Sequence, residues 1–166
     1  NSGLSFSLNR GIDQSKGQYI ARMDADDVSY KDRLRRQLEF FECDSTIVLC
    51  GTNGLHVHHD LTPLRPTILP GADWKLRCIC LFENPFMHSS VMMNASTVKS
   101  CGGYDVSLDA AQDYELWTRI MEYGKVCNLS DRLVLFRRHE GSISETRRKI
   151  QMEKKIQIQK KYAASF

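Results

Sequence analysis

Asp24-Ala25-Asp26-Asp27 is the sharpest chemical signal in the chain. Asp24 and Asp26 stand one residue apart, so a bend there turns both carboxylates toward a common point. Hard oxygen ligands in that arrangement suit Mg²⁺ or Mn²⁺, and such an ion can in turn hold a diphosphate. An ordinary acidic loop whose last members cap a following helix would read the same way, and local pattern alone leaves the two readings level. A second carboxylate, Asp113, stands at the start of a helical stretch whose Leu116 and Trp117 face a core. Held at that exposed front edge, it can serve as a general base. Helix starts also favour acids because of the dipole, so spacing alone favours the plainer reading of Asp113.

Histidines are the next candidates. His139 follows Arg137-Arg138 after the last predicted strand, where it can reach a metal or phosphates. His88 lies in the polar break Asn84-Pro85-Phe86-Met87-His88-Ser89-Ser90. His56-Val57-His58-His59 looks like a metal tract, but no cysteine or carboxylate stands at a structural-zinc spacing, so it reads as a solvated strand or loop. The six cysteines, at 43, 50, 78, 80, 101 and 127, include no C-x-x-C pair. Reduced, buried thiols in a cytoplasmic protein are expected.

These side chains need a scaffold, and 166 residues with 42% apolar and 26% charged residues suffice for one globular domain. Disorder and collagen-like repeats are excluded by that composition. No apolar run is long enough to span a membrane, and Asn1–Asn9 lacks the pattern of a secretory signal, so the chain reads as soluble. Leu4, Leu8 and Ile12 share one helical face, and Gly17 to Met23 reads as a strand running straight into the acidic cluster. A helix is expected over Tyr30 to Glu42, capped by Ser29, with Leu34, Leu38 and Phe41 as its apolar face. Thr46 to Cys50 reads as a buried strand and Thr52 to Gly71 as loop or edge strand. Helix follows over Asp73 to Phe82, strand over Val91 to Met93, and helices over Ala95 to Ser100 and Asp113 to Tyr123. A last strand spans Leu133 to Phe136, and a terminal helix Glu145 to Tyr162. Strands alternating with helices predict an α/β fold with a largely parallel sheet, and ligands on such sheets bind outside the carboxyl ends of the strands.

The terminal helix carries seven basic residues against two acidic ones between Glu145 and Lys161. Aromatic or arginine readers are not interleaved with these lysines, which argues against nucleic acid. Ile150, Ile156 and Tyr162 align roughly on one side. Two readings of this basic amphipathic helix stay open: docking on the sheet, or peripheral contact with an anionic membrane surface.

Taken in order, these pieces resemble a family 2 glycosyltransferase of the GT-A fold. The matching stretches are Asn1-Ser2-Gly3, Ser7 to Ile12, Gly17 to Asp27, Arg33-Leu34 with Gln37, Asn84-Pro85-Phe86, His88 to Met92, Gly103-Tyr104-Asp105 and Asp113 to Trp117. Arg137, His139, Ser142 and Ser144 complete the series. The resemblance implies a GT-A-like, mostly parallel sheet flanked by helices over residues 1–144, followed by the basic helix over 145–166. It implies transfer of a sugar, with inversion, from a nucleotide-sugar (a UDP-sugar by family habit) to a hydroxyl of a glycan or lipid-linked acceptor. By the same resemblance Asp24 and Asp26 form the D-x-D motif. Asp26 then binds Mn²⁺ or Mg²⁺, and Asp24 lies near the donor ribose or the metal shell. Asp113 matches the base, Asn9 a nucleotide-contacting position, and His139 a residue close to metal and diphosphate. Polysaccharide-building relatives work at the inner face of the cell membrane, which is the location implied.

Two departures accompany the match. Family members open with two strand–helix units that this sequence starts after, so an N-terminally truncated domain is expected. The unpaired sheet edge that results, with the Leu4, Leu8 and Ile12 face, predicts self-association. Gln112 replaces the acid that many relatives carry just before the base. Rival readings are a metal-dependent nucleotidyltransferase, for which no basic Gly-rich loop is visible, and an inert or binding-only piece of the same fold.

Overall fold

The computed structural model describes residues 3–138 and 148–164. Its strands are β1 (Tyr19–Ala21), β2 (Val28–Ser29), β3 (Ile47–Val57), β4 (Pro63–Thr67), β5 (Met92–Asn94) and β6 (Lys125–Arg137). The helices are α1 (Leu4–Gln14), α2 (Arg33–Cys43), α3 (Asp73–Cys80), α4 (Ala95–Ser100), α5 (Gln112–Ile120) and α6 (Arg148–Ala163), with a 3₁₀ turn at His88–Ser90. One sheet runs in the order β1-β5-β3-β6-β2, and β4 extends the β5 edge of β3. At its centre β3 and β6 pair in parallel from Ile47↔Lys125 to Val57↔Arg137.

The α/β architecture is as expected, but the sheet is mixed rather than mostly parallel. β1, β3 and β6 run one way, whereas β5 lies antiparallel between β1 and β3, and β2 and β4 also pair antiparallel. A helix between two strands reads as a parallel crossover. Here α3 is followed by a long irregular stretch, and the chain re-enters the sheet from the opposite end. β3 and β6 are also much longer than the short apolar runs within them suggested. Their polar residues Thr52, Asn53, His56 and Asn128 are buried. Burial of a central strand on both faces hides the alternation that marks a half-exposed one.

The largest departure lies in α2. Ser29, expected to cap it, is in β2 opposite Val134. The helix does not bury Leu34, which is 51% exposed; its buried residues are Arg33, Gln37 and Phe41. Phe41 stacks on Tyr19 with ring centroids 4.5 Å apart. The two polar residues serve main-chain carbonyls. Arg33 donates to the carbonyls of Ser89 (2.6 Å) and Arg22 (3.0 Å), and Gln37 Nε2 to those of Cys50 (2.5 Å) and Ser90 (2.9 Å). Arg22, Ser89 and Ser90 lie outside the strands, and buried carbonyls there need donors from elsewhere.

Two apolar clusters sandwich the sheet. Phe41, Ile47, Cys50, Met92, Cys127 and Leu129 pack on the α2 side, while the larger cluster is built around Leu49, Leu76, Met93, Leu116, Trp117 and Ile120. Gly51 permits one close approach. A Cβ there would stand 2.0 Å from Asn128 Oδ1 and 2.8 Å from Phe86. The bare backbone lets Asn128 donate to the Pro85 carbonyl at 3.0 Å, which seats the 84–86 segment over the sheet. α6 docks through Ile158 and Tyr162, both buried, whereas Ile150 and Ile156 are exposed. The docked face of that helix therefore differs from the one expected. Among the described residues no helix is long and apolar enough to cross a membrane.

Gln37→Leu keeps the size of the side chain but strands two buried carbonyls. Net loss of one such bond costs about 1 kcal/mol and an unsatisfied buried group about 1–3 kcal/mol. Urea denaturation should therefore show destabilisation of about 2 kcal/mol or more. A shift within about 0.5 kcal/mol, the range of an ordinary surface change, would show that these carbonyls find other partners.

Candidate active site

A hollow of about 1120 Å³ opens where β1 ends, and the acidic loop, the 84–88 segment and the start of α5 all line it. Asp24, Asp26, Asp27, His88 and Asp113 face this one space. Residues from three separate stretches of sequence thus converge.

Arg22 controls the acidic loop. It is 8% exposed, and its guanidinium grips Asp24 with two bonds, Nη1 to Oδ2 at 2.6 Å and Nη2 to Oδ1. Ser89 Oγ accepts from Arg22 Nη1 (3.1 Å) and donates to Asp24 Oδ2 (2.8 Å). Asp24 is therefore charge-paired and fixed. Asp26 is exposed at the wall of the hollow. Asp27 is buried at 7% exposure; its Oδ1 accepts from the Arg137 main-chain N–H at 2.8 Å. Its Oδ2 has no hydrogen-bond partner among the described residues, and burial raises its pKa above the usual carboxylate value.

Among the described residues no group of three or more His, Cys, Asp or Glu is arranged to hold a metal ion. The donor set fits a different mode of binding. An exposed Asp26 carboxylate suits a hard divalent ion that takes one or two protein carboxylates and leaves its other positions to water and phosphate oxygens. Asp24, engaged by Arg22, is less suited to direct ligation. His139, expected near the metal, lies outside the described residues, as do Ser142 and Ser144.

Asp113 stands in the first turn of α5, preceded by Ala111 in the left-handed region (φ 57°, ψ 23°). That conformation costs a non-glycine residue roughly 1 kcal/mol or more. Here it turns the chain from the 106–110 loop into the helix. Asn84 Nδ2 donates to Asp113 Oδ2 at 2.7 Å, and Asn84 Oδ1 accepts from the Phe86 N–H. The same segment that Gly51 and Asn128 seat on the sheet thus orients the carboxylate. His88 is part of it. Its Nε2 lies 2.8 Å from the Tyr104 hydroxyl, and its ring packs edge-on against Trp117 at 5.9 Å.

Asn9 does not line the hollow. Its amide accepts from the Tyr104 N–H at 2.7 Å and donates to the Tyr104 carbonyl at 2.8 Å, clamping α1 to the Gly103-Tyr104 turn. Gly103 is needed for that clamp: it has φ +67°, and a Cβ there would stand 2.5 Å from Asn9 Oδ1. The structure thus gives Asn9 a positioning role. Sequence reasoning missed Arg22 and Asn84 as individual site residues. An arginine inside a predicted strand just before an acidic cluster was the available signal for the first.

His56, expected in a solvated stretch, is instead buried at the rim of the hollow. Arg138 Nε donates to its Nδ1 at 3.2 Å, so Nε2 carries the proton and donates to Thr67 Oγ1 at 2.8 Å. Burial first, then the charges of Arg138 and Arg65, push its pKa down to about 4. The folded state then binds a proton less readily than the unfolded one, so stability falls as pH drops from about 6.5 toward 4. In denaturation profiles over that window, His56→Gln should flatten the acid slope relative to the parent protein. An unchanged slope would remove His56 as its source.

With this geometry in place, similarity to known proteins can be weighed. Residues 1–93 match the family model for Glycosyl transferase family 2. The amylovoran biosynthesis glycosyltransferase AmsE of Erwinia amylovora is 32% identical over 89% of this chain and 55% of its own length. The O-antigen biosynthesis glycosyltransferase WbnJ of Escherichia coli is 29% identical over 86% of this chain and 56% of its own. The chain thus spans about half the length of these curated relatives. The crystal structure of S. aureus TarS 1-349 in complex with UDP-GlcNAc superposes with a TM-score of 0.65 at 16% identity, covering 98% of this chain and 52% of that one. At that identity the likeness speaks for the fold alone, which is of the GT-A kind. The family match spans more than half of the residues, and the chain belongs to glycosyl transferase family 2.

Proposed function

We propose that this chain forms the metal-side and base-side part of an inverting, metal-dependent glycosyltransferase. It would move a sugar from a nucleotide-sugar, with UDP as the nucleotide, to a hydroxyl of a glycan or lipid-linked acceptor in cell-surface polysaccharide synthesis. One observation carries this reading: a single hollow joins the Asp24–Asp27 loop to an Asp113 whose orientation is fixed by Asn84. Relatives named for amylovoran and O-antigen biosynthesis support the polysaccharide role, and the UDP-GlcNAc held by TarS supports the donor class.

Each residue then has a task. Asp26 would hold Mn²⁺ or Mg²⁺, which when bound would supply a Lewis acid for the charge gathering on the leaving diphosphate. Asp24, locked by Arg22 and Ser89, presents a fixed acceptor edge to the ribose side of the donor. Asp113 takes the acceptor hydroxyl proton. The Asn84 N–H occupies Oδ2, which leaves Oδ1 as the basic atom. Attack from the face opposite the diphosphate inverts the anomeric centre in one step. Because Gln112 is an amide, Asp113 carries the base role without an adjacent acid.

The test is nucleoside diphosphate release from a panel of nucleotide-sugars with Mn²⁺ and acceptor, paired with donor-binding calorimetry. A positioned general base contributes about 10²–10⁴-fold, so Asp113→Asn should lose most turnover by that factor and keep donor affinity. Parallel loss of binding and turnover would take Asp113 out of the base role. Absence of release from every donor would favour a binding-only domain.

A further inference from the structure

His88 lines the hollow, and the mechanism assigns it no task. It lies between the two working ends. The next residue, Ser89, bonds Asp24 at 2.8 Å, and Asn84, in the same segment, bonds Asp113 at 2.7 Å. The carboxylates of Asp113 and Asp24 both act on the ring electrostatically, but burial outweighs them and lowers its pKa to about 4, so the imidazole is neutral near pH 7. Its orientation is set with unusual redundancy. The Tyr104 hydroxyl meets Nε2 at 2.8 Å, and Trp117 packs against the ring edge. Tyr104 is itself held by Asn9, and the turn before it by Arg119, which donates to the Gly103 carbonyl at 2.7 Å and is paired with Glu115. Side chains of α1 and α5 thus serve to place one phenol against one imidazole. The other ring nitrogen, Nδ1, has no hydrogen-bond partner among the described residues, and His88 lines the hollow.

We propose that Nδ1 of His88 hydrogen-bonds a ring hydroxyl of the sugar being transferred, with Tyr104 fixing the imidazole from behind. This inference rests on the donor reading above, because the transferred sugar must lie between the diphosphate end at Asp24–Asp26 and the base at Asp113. The chemistry matches. A hydroxyl both donates and accepts, so it satisfies Nδ1 in either tautomer. A built polar contact in a sheltered site also discriminates strongly against a sugar that lacks the hydroxyl. His88 is on this account a binding residue for the glycosyl group and takes no part in proton transfer.

Two amide substitutions separate this role from simple support of Tyr104. In His88→Asn the side-chain amide falls where Nδ1 was, and in His88→Gln it reaches the Nε2 position beside the Tyr104 hydroxyl. Binding of UDP and of UDP-sugars, with Mn²⁺, would be measured by calorimetry on the parent and both variants. Loss of one hydrogen bond corresponds to roughly a five- to tenfold weakening. His88→Gln should show that loss for a UDP-sugar with UDP affinity unchanged, while His88→Asn keeps most of the sugar affinity. Tyr104→Phe should move sugar affinity in the same direction by a smaller factor. The reverse ranking of the amides, or equal weakening toward UDP and UDP-sugar, would overturn the proposal. A parent protein that binds neither ligand would overturn the donor reading itself, and this inference with it.

Discussion

The site depends on four main-chain carbonyls, those of Arg22, Cys50, Ser89 and Ser90, and on the two α2 side chains that satisfy them. To open a hollow at the end of a sheet, the strands must diverge and their ladder must stop. The carbonyls of Arg22, Ser89 and Ser90 lie in buried residues outside the strands, and each costs a kcal/mol or more without a donor. Arg33 and Gln37 reach in from one helix and bind all four. They therefore tie the exit of β1, the middle of β3 and the 3₁₀ turn into one rigid unit. The acidic loop and the 84–90 segment are the two ends of that unit, which is why Asp24 and His88 keep a fixed relation although 64 residues separate them.

Charge is then distributed by pairing. Several carboxylates around one hollow would repel one another if all were bare. Arg22 neutralises Asp24, burial favours the protonated form of Asp27, and Asn84 supplies a neutral donor to Asp113. Asp26, exposed at the wall of the hollow, is the carboxylate that a cation would reach from solvent. A divalent ion held by one or two protein carboxylates leaves the rest of its shell to water and phosphate oxygens. Ion and nucleotide would accordingly bind in a coupled way.

Much of this scaffold was legible in the sequence, and the misses share one cause. The strand into Asp24–Asp27, the short helix from Ala95 to Ser100 and the helix behind Asp113 were all readable from periodicity and caps. Misreadings fall where a buried element carries polar residues. Apolar spacing, the ordinary guide to burial, gives α2 a face through Leu34. Its true face includes an arginine and a glutamine, whose burial makes sense only once the stranded carbonyls are seen. From sequence β3 ends at Cys50 and β6 begins at Leu133, because Thr52, Asn53, His56 and Asn128 look like loop residues. Each is buried in the structure, and partner groups that make this tolerable come from distant parts of the chain: Ser130 for Asn53, Thr67 and Arg138 for His56, and Pro85 for Asn128. The two bonds of Asn9 to Tyr104, 95 residues away in sequence, are likewise invisible from local pattern.

The terminal helix docks on the domain through one set of residues and leaves another set exposed. Ile158 and Tyr162 are buried against the α5 side of the core, with the Tyr162 hydroxyl 3.4 Å from Met121 Sδ. Gln159 Nε2 donates to the Phe82 carbonyl, and Lys155 lies 3.9 Å from Glu83, so the helix is also held by polar contacts at the end of α3. These contacts use one stripe. Ile150, Met152 and Ile156 remain outside it, at 38%, 59% and 44% exposure. The packing that fixes the helix to the domain thus leaves these apolar side chains exposed among basic residues. Gln151 and Lys155 meanwhile line the hollow itself. A helix held in that way brings positive charge to the mouth of the site, where an anionic donor or a phosphate-bearing acceptor would enter, without leaving its seat on α5.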